Sequence, residues 1–148
     1  MLSVRAAALR TGIVGGVLFA VHASIPYCGS WPFVWPPMVG AVAFWTASGD
    51  SAPHQYRRGM LAALGAGALM GLVFLVGVNI TILTVGRAML ASITPAPGVP
   101  TKALITVSIE LGLAVVALLG AAAAVLGGVA MMLVRRFRPS HRAAPAGV

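Results

Sequence analysis

The chain has 148 residues, of which 59% are hydrophobic and only 8% charged, with a formal net charge of +8. A soluble domain carries about 25% charged residues because its surface must be wetted, so a water-soluble globular fold is set aside and the outer surface is expected to face lipid. Nor do the basic residues form a stripe interleaved with aromatics, as a nucleic-acid face would need; they cluster at Arg5 and Arg10, at Arg57 and Arg58, and at Arg135, Arg136, Arg138 and Arg142, the flanks of apolar runs.

Three stretches lack Asp, Glu, Lys and Arg altogether: Thr11 to Gly49, Gly59 to Gly86 and Leu111 to Val134. Each meets or exceeds the roughly 20 residues that cross a hydrocarbon core. The first is long enough to hold two helices. Helix one is expected over about 9–25 and is ended by Pro26 and Cys28-Gly29-Ser30, because proline cannot continue the backbone ladder. A rival reading takes the two arginines, the short apolar run and Val21-His22-Ala23 as a cleaved secretory signal.

The prolines of Trp31 to Pro37 argue against regular helix, while the aromatic rings suit a headgroup boundary, so this segment reads as an aromatic belt. Helix two is expected over about 36–52, starting on a proline at a first-turn position and stopping before Pro53. It covers only about 25 Å, which makes it the weakest span. Helix three is expected over about 59–86. A proline-rich loop from Ser92 to Pro100 follows, and helix four over about 101–134 has Thr101 as its N-cap. The remainder, 135–148, is a basic tail.

The charges arbitrate the topology. With four crossings and the N-terminus inside, eight of the ten Lys and Arg residues are cytoplasmic, and only Arg87 and Lys102 lie outside. If helix two fails to cross, Arg57, Arg58 and the tail move outside, against the positive-inside rule. The expected fold is therefore all-α: a single membrane domain over 1–148, a bundle of four transmembrane helices with both termini cytoplasmic. The expected location is the plasma (inner) membrane of a bacterium-like cell, with anionic lipid at the basic tail.

Ionisable groups inside spans are costly, so Glu110 and His22 are the first candidates for function. Glu110 stands 25 residues before Arg135, roughly 37 Å at helical rise, which puts it near the outer headgroups. Asn79, Thr81 and Thr84 reach a similar height when counted from Arg58, as do Thr106 and Ser108, and with Arg87 they outline a polar outer mouth or an ordinary wet helix end. His22 lies 12 residues from Arg10, about 18 Å in. It shares a face with Gly15 and Pro26, which suits helix contact better than lipid. The imidazole is either proton-linked or ligand-contacting, or else hydrogen-bonded to a neighbouring helix.

Small residues recur every four positions at Gly59, Ala63, Gly67 and Gly71, and again at Gly120, Ala124 and Gly128. Such faces let helix backbones approach closely, within the chain or between subunits. The chain shows no nucleotide loop, no HExxH and no Cys-X-X-Cys, and its one cysteine, Cys28, excludes an internal disulfide. His22, His54 and Cys28 share no ligand spacing, so neither a metal, another cofactor nor an enzyme is expected.

From about Ala8 to Val78 the order of features resembles the membrane repeat of fusaric-acid-resistance and aromatic-acid exporter proteins. The matching pieces are Leu9-Arg10-Thr11-Gly12, the stretch Trp31 to Pro37, and Arg58-Gly59 followed by Ala63, Gly65 and Gly67. Members of that family are much longer and carry a soluble domain, and no known site residue carries over. The resemblance implies export of small organic acids. The expected function is thus a small transport or channel-like protein for a small solute, acting as a homo-oligomer; the alternative is a non-catalytic assembly or stabilising subunit of a larger membrane complex.

Overall fold

Ser3 fixes the start of the first helix: its side chain accepts a hydrogen bond from the Ala6 N–H at 3.1 Å, satisfying one of the donors left unpaired in a first turn. In the computed structural model, which describes residues 2–25, 31–48, 53–86 and 101–137, the described residues are helical nearly throughout, with no strand among them. Helix α1 is Val4–Ala23, α2 is Trp35–Ser48, α3 is Pro53–Thr81 and α4 is Thr101–Phe137. A 3-10 turn, Trp31–Val34, leads into α2, and a π turn, Ile82–Gly86, continues α3.

Several boundaries differ from the sequence reading, each for a local reason. Helix α1 begins five residues before the expected position 9, because Ser3 caps it there. The Trp31 to Pro37 segment is helical from its first residue rather than irregular: Pro36 and Pro37 fall in the first turn of α2, where a missing N–H breaks no bond. Helix α2 does stop before Pro53, and Pro53 itself takes the first position of α3, six residues before the expected start at 59, so Arg57 and Arg58 belong to that helix and not to a loop before Gly59. Helix α4 runs three residues past Val134, placing Arg135 and Arg136 in its last turn, where cations suit the helix dipole. Helix α2 ends at Ser48; the rest of the expected 36–52 lies outside the described residues.

Helix direction follows from which residues meet. A Cβ added at Gly12 would stand 2.9 Å from the Ala66 carbonyl oxygen, and one at Gly16 would stand 3.0 Å from that of Met70, so α1 and α3 run parallel. Gly67 faces Ala121 and Gly71 faces Ala117, which makes α3 and α4 antiparallel. Gly40 lies against Ala124 and Ser48 is bonded by Arg135, so α2 and α4 are parallel. Helices α2 and α3 each pack on the other three elements, whereas α1 and α4 sit on opposite sides of them, with the Phe19 ring reaching across to Gly120.

The core changes character along this axis. Toward the end that carries Arg58 and Arg135, the arginine end, it is built of Ala7, Ala43, Ala47, Ala62 and Ala66 with Met70, all fully buried. Toward the other end, the Glu110 end, Phe19 stacks on Phe74 with ring centroids 4.5 Å apart over Ala117. Around this core the exterior is apolar: Leu118 and Leu126 are 70% and 67% exposed. Three helical stretches, Val4–Ala23, Gln55–Thr84 and Thr106–Phe137, are long and apolar enough to cross a membrane. So much exposed hydrocarbon on helices of this length is what a bilayer accepts and water does not.

Candidate functional site

Two polar clusters lie at opposite ends of the bundle. At the Glu110 end, Asn79 Nδ2 donates to the Leu75 carbonyl at 3.0 Å and to Glu110 Oε2 at 3.4 Å, joining α3 to α4. Counting residues at helical rise had put these two side chains at one height, and the antiparallel register of α3 and α4 brings them together. Glu110 is exposed and Asn79 half-buried, so the pair forms a wet surface contact. Of the neighbouring hydroxyls, Thr81 donates to the Gly77 carbonyl at 3.1 Å, and Thr84 to that of Ile80 at 2.8 Å. Thr106 and Ser108 are exposed. Arg87 lies outside the described residues.

His22 occupies the last turn of α1, which ends at Ala23, two residues short of the expected end at 25. Its Nδ1 is 3.0 Å from the Leu18 carbonyl, and its ring lies against Trp35 with centroids 5.4 Å apart. Gly15, on the same face, packs on Val39, so this side of α1 is turned to α2. The imidazole is half-buried between helices rather than fully immersed in lipid. Pro26 and Cys28 lie outside the described residues.

Of the small residues singled out in the sequence, Gly59 receives the Phe44 ring and the Ser48 side chain from α2, and Ala63 meets Gly128. Gly67 and Gly71 take Ala121, Ala124 and the Ala117 carbonyl, while Gly120 takes Phe19 and Met70. Both stripes are thus occupied within one chain. A third stripe escaped notice: Ala8, Gly12, Gly16 and Ala20 on α1, also four apart, lie against Gly65, Ala66, Val73 and Gly77. Its spacing was the available signal.

The arginine end holds the most connected polar group. Arg135 Nη1 donates to Ser48 Oγ at 2.7 Å, and its guanidinium carbon lies 4.0 Å from the Trp45 ring centroid and 6.0 Å from that of Phe44. Phe44 in turn faces Tyr56 of α3 at 6.2 Å, and the Leu2 N–H donates to the Thr46 carbonyl at 3.3 Å. Ser48 is 1% exposed and is the buried polar side chain of the described core. A guanidinium over an indole is attracted by the ring's negative face, and the hydrogen bond satisfies a hydroxyl that would otherwise be stranded. Nearby on α3, Gln55 Oε1 is buried and has no hydrogen-bond partner among the described residues.

Among the described residues no three of His, Cys, Asp and Glu gather closely enough to hold a metal ion. The polar groups of the described residues include a wet pair, a histidine on an indole and an arginine clamp. No protein-family model, curated protein or solved structure matches this chain.

Proposed function

We propose that the chain is a four-span membrane protein with both termini cytoplasmic in a bacterial-type inner membrane, and that it serves as a non-catalytic assembly or stabilising subunit of a larger membrane complex. Parallel α1 and α3 support the fourth crossing, since a chain that crosses twice in one direction must return in between, and α2 lies antiparallel to both. The turn Trp31–Val34 and α2 together reach about 29 Å, close to the ~30 Å hydrocarbon core. Eight of the ten Lys and Arg residues then fall on the cytoplasmic side.

The packing of the interior carries the subunit reading. Glycines of α2 and α4 stand directly against the facing backbone, at Gly40 on Ala124 and at Gly127 on Pro37, and the one polar side chain in the described core is held by Arg135. Such close backbone packing among the described residues favours a subunit over a pathway through one chain. The second reading, a transport or channel-like homo-oligomer, draws on the Asn79–Glu110 pair and on His22, which would line a path between copies. The resemblance to aromatic-acid exporters would make small organic acids its substrates.

Purification at native expression level in mild detergent, followed by reconstitution of the isolated chain, separates the two. The subunit reading predicts a stoichiometric partner and no solute flux from the chain alone. Flux that is lost in His22→Ala would overturn it in favour of transport.

A further inference from the structure

We infer that the groove between α1 and α2 docks a membrane-spanning helix of the partner protein, one that carries a carboxylate at the depth of Arg10 and bulky aliphatic residues over its next two turns toward the Glu110 end. This deepens the subunit reading and rests on it. The groove, about 320 Å³, is walled by Val14 and Leu18 of α1 and by Trp35 and Val42 of α2, with Arg10 at one end. Thr11 also borders it, but its hydroxyl donates to the Ala7 carbonyl at 2.6 Å, so the guanidinium is the group there that needs a partner.

Depth decides what can meet Arg10. Ala8 packs on Gly65 and Gly12 on Ala66, so Arg10 is level with the second turn beyond Gly59, about 12 Å inside Arg58 by helical rise. From there to Leu18 the groove continues for about another 12 Å along α1, past the midplane of a ~30 Å hydrocarbon core. Arg10 is exposed, and among the described residues it has no ion pair or hydrogen bond.

A charged side chain within a span is stable when it pairs with another ionisable group or reaches water. Leaning toward the N-terminus of α1, the guanidinium recovers part of the distance to the level of Arg58, but its stem is too short to recover all of it. Lipid phosphates stay at the boundary and dissolved anions stay in water, so an anion at this depth has to be carried there on a spanning helix, as a side-chain carboxylate. The apolar length of the groove suits the same occupant, because residues three, four and seven positions from that carboxylate share its face of the helix and follow the groove. An acyl chain fills the walls and leaves Arg10 unpaired. Of this chain's own two acidic residues, Glu110 lies at the opposite end of the bundle and Asp50 comes after the last residue of α2, so neither is carried on a described helix at the depth of Arg10. The carboxylate therefore belongs to a different protein.

Single-spanning peptides of leucine and alanine test this recognition by energy transfer to the labelled full-length chain in phosphatidylcholine vesicles. One peptide carries glutamate about a third of the way across the bilayer, a second carries glutamine there, and a third carries glutamate at the midplane. The unmodified chain should bind the first about tenfold more tightly than either of the others, the scale of one polar pair between helices in model peptides. Arg10→Leu should remove the preference, Arg10→Lys should keep most of it, and Arg58→Leu, a basic residue away from the groove, should leave it unchanged. Val14→Trp, which fills the groove from an exposed position, should weaken all three peptides. Equal binding of the glutamate and glutamine peptides overturns the inference, and so does a preference that survives in Arg10→Leu. Energy transfer between copies of the unmodified chain that disappears in Arg10→Leu also overturns it, in favour of a second copy as the occupant. Purification at native expression level keeps this apart from the subunit reading: a stoichiometric partner retained by Arg10→Leu removes the docking site alone, while no partner on the unmodified chain removes the subunit reading and this inference with it.

Discussion

The two ends of the bundle are held by different physics. At the arginine end, the chain segment before α1, the end of α2, the start of α3 and the end of α4 meet through Leu2, Thr46, Phe44, Tyr56, Ser48 and Arg135, and the central hydrogen bond is shielded by an indole. At the Glu110 end, among the described residues, a 3.4 Å hydrogen bond from half-buried Asn79 to exposed Glu110 links two helices, and a stacked pair of phenylalanines packs below it. Polar contacts act in proportion to their desolvation, so the first end is a clamp and the second a loose rim. The molecule should open, exchange or admit partners at the Glu110 end first.

Breaking the close packing that both ends depend on should have the largest effect. Gly40→Leu places a side chain where the Ala124 backbone already lies, so α2 cannot dock on α4 without moving, and overpacking of this kind destabilises by about 3 kcal/mol or more. Denaturant titration in mixed micelles should show the loss, together with detachment of α2 from proteolytic protection. Gly67→Leu should also act on folding, since its face is filled by Ala121 and Ala124 of the same chain. If that variant instead changes only the oligomer fraction, the internal packing described for α3 and α4 is wrong.

Removing the clamp comes next. Arg135→Ala takes away the Ser48 partner and the cation over Trp45, for an expected loss of about 2 kcal/mol from a stranded buried hydroxyl and a desolvated cation–π contact. Ser48→Ala in the same background should recover part of it, because no unsatisfied hydroxyl remains. Equal stabilities for the single and double variants would mean that Ser48 is already satisfied some other way.

At the Glu110 end the expected effect is small. Asn79→Ala should lower stability by no more than about 0.6 kcal/mol, the average for hydrogen bonds between helices in a bilayer. A loss as large as that of Arg135→Ala would erase the contrast between the ends. The smallest effect belongs to Gly112→Ala: a Cβ there meets nothing within 4 Å, so stability should stay level or rise by a few tenths of a kcal/mol, as better helix propensity allows. A clear loss at Gly112 would point to a helix partner on that exposed face of α4.

How much of this was legible in the sequence depended on whether the signal was local. Small residues four apart on α3 and α4 announce a close-packed face, and counting residues at helical rise puts Asn79 and Glu110 at one height. Helix ends were harder, because proline both stops and starts helices: Pro53 was readable either way until the turn that follows it is seen. The clamp was not legible at all. Ser48 and Arg135 are 87 residues apart, and only the parallel packing of α2 and α4 makes them neighbours. Arg10 was counted as an ordinary flanking charge for a similar reason, since its depth follows from the register of α1 against α3 and not from its own neighbours in the chain.

The central claim is that α2 is a true crossing, so that the arginine end is one face of the membrane and the Glu110 end the other. In a Cys28→Ser background, single cysteines at Ser51, Ser92 and Ser140 can be challenged in intact cells with a membrane-impermeant maleimide, and again after permeabilisation. The account predicts that Ser92→Cys is labelled from outside, while Ser51→Cys and Ser140→Cys are labelled only once the membrane is opened. Labelling of Ser51→Cys or Ser140→Cys in intact cells would contradict it.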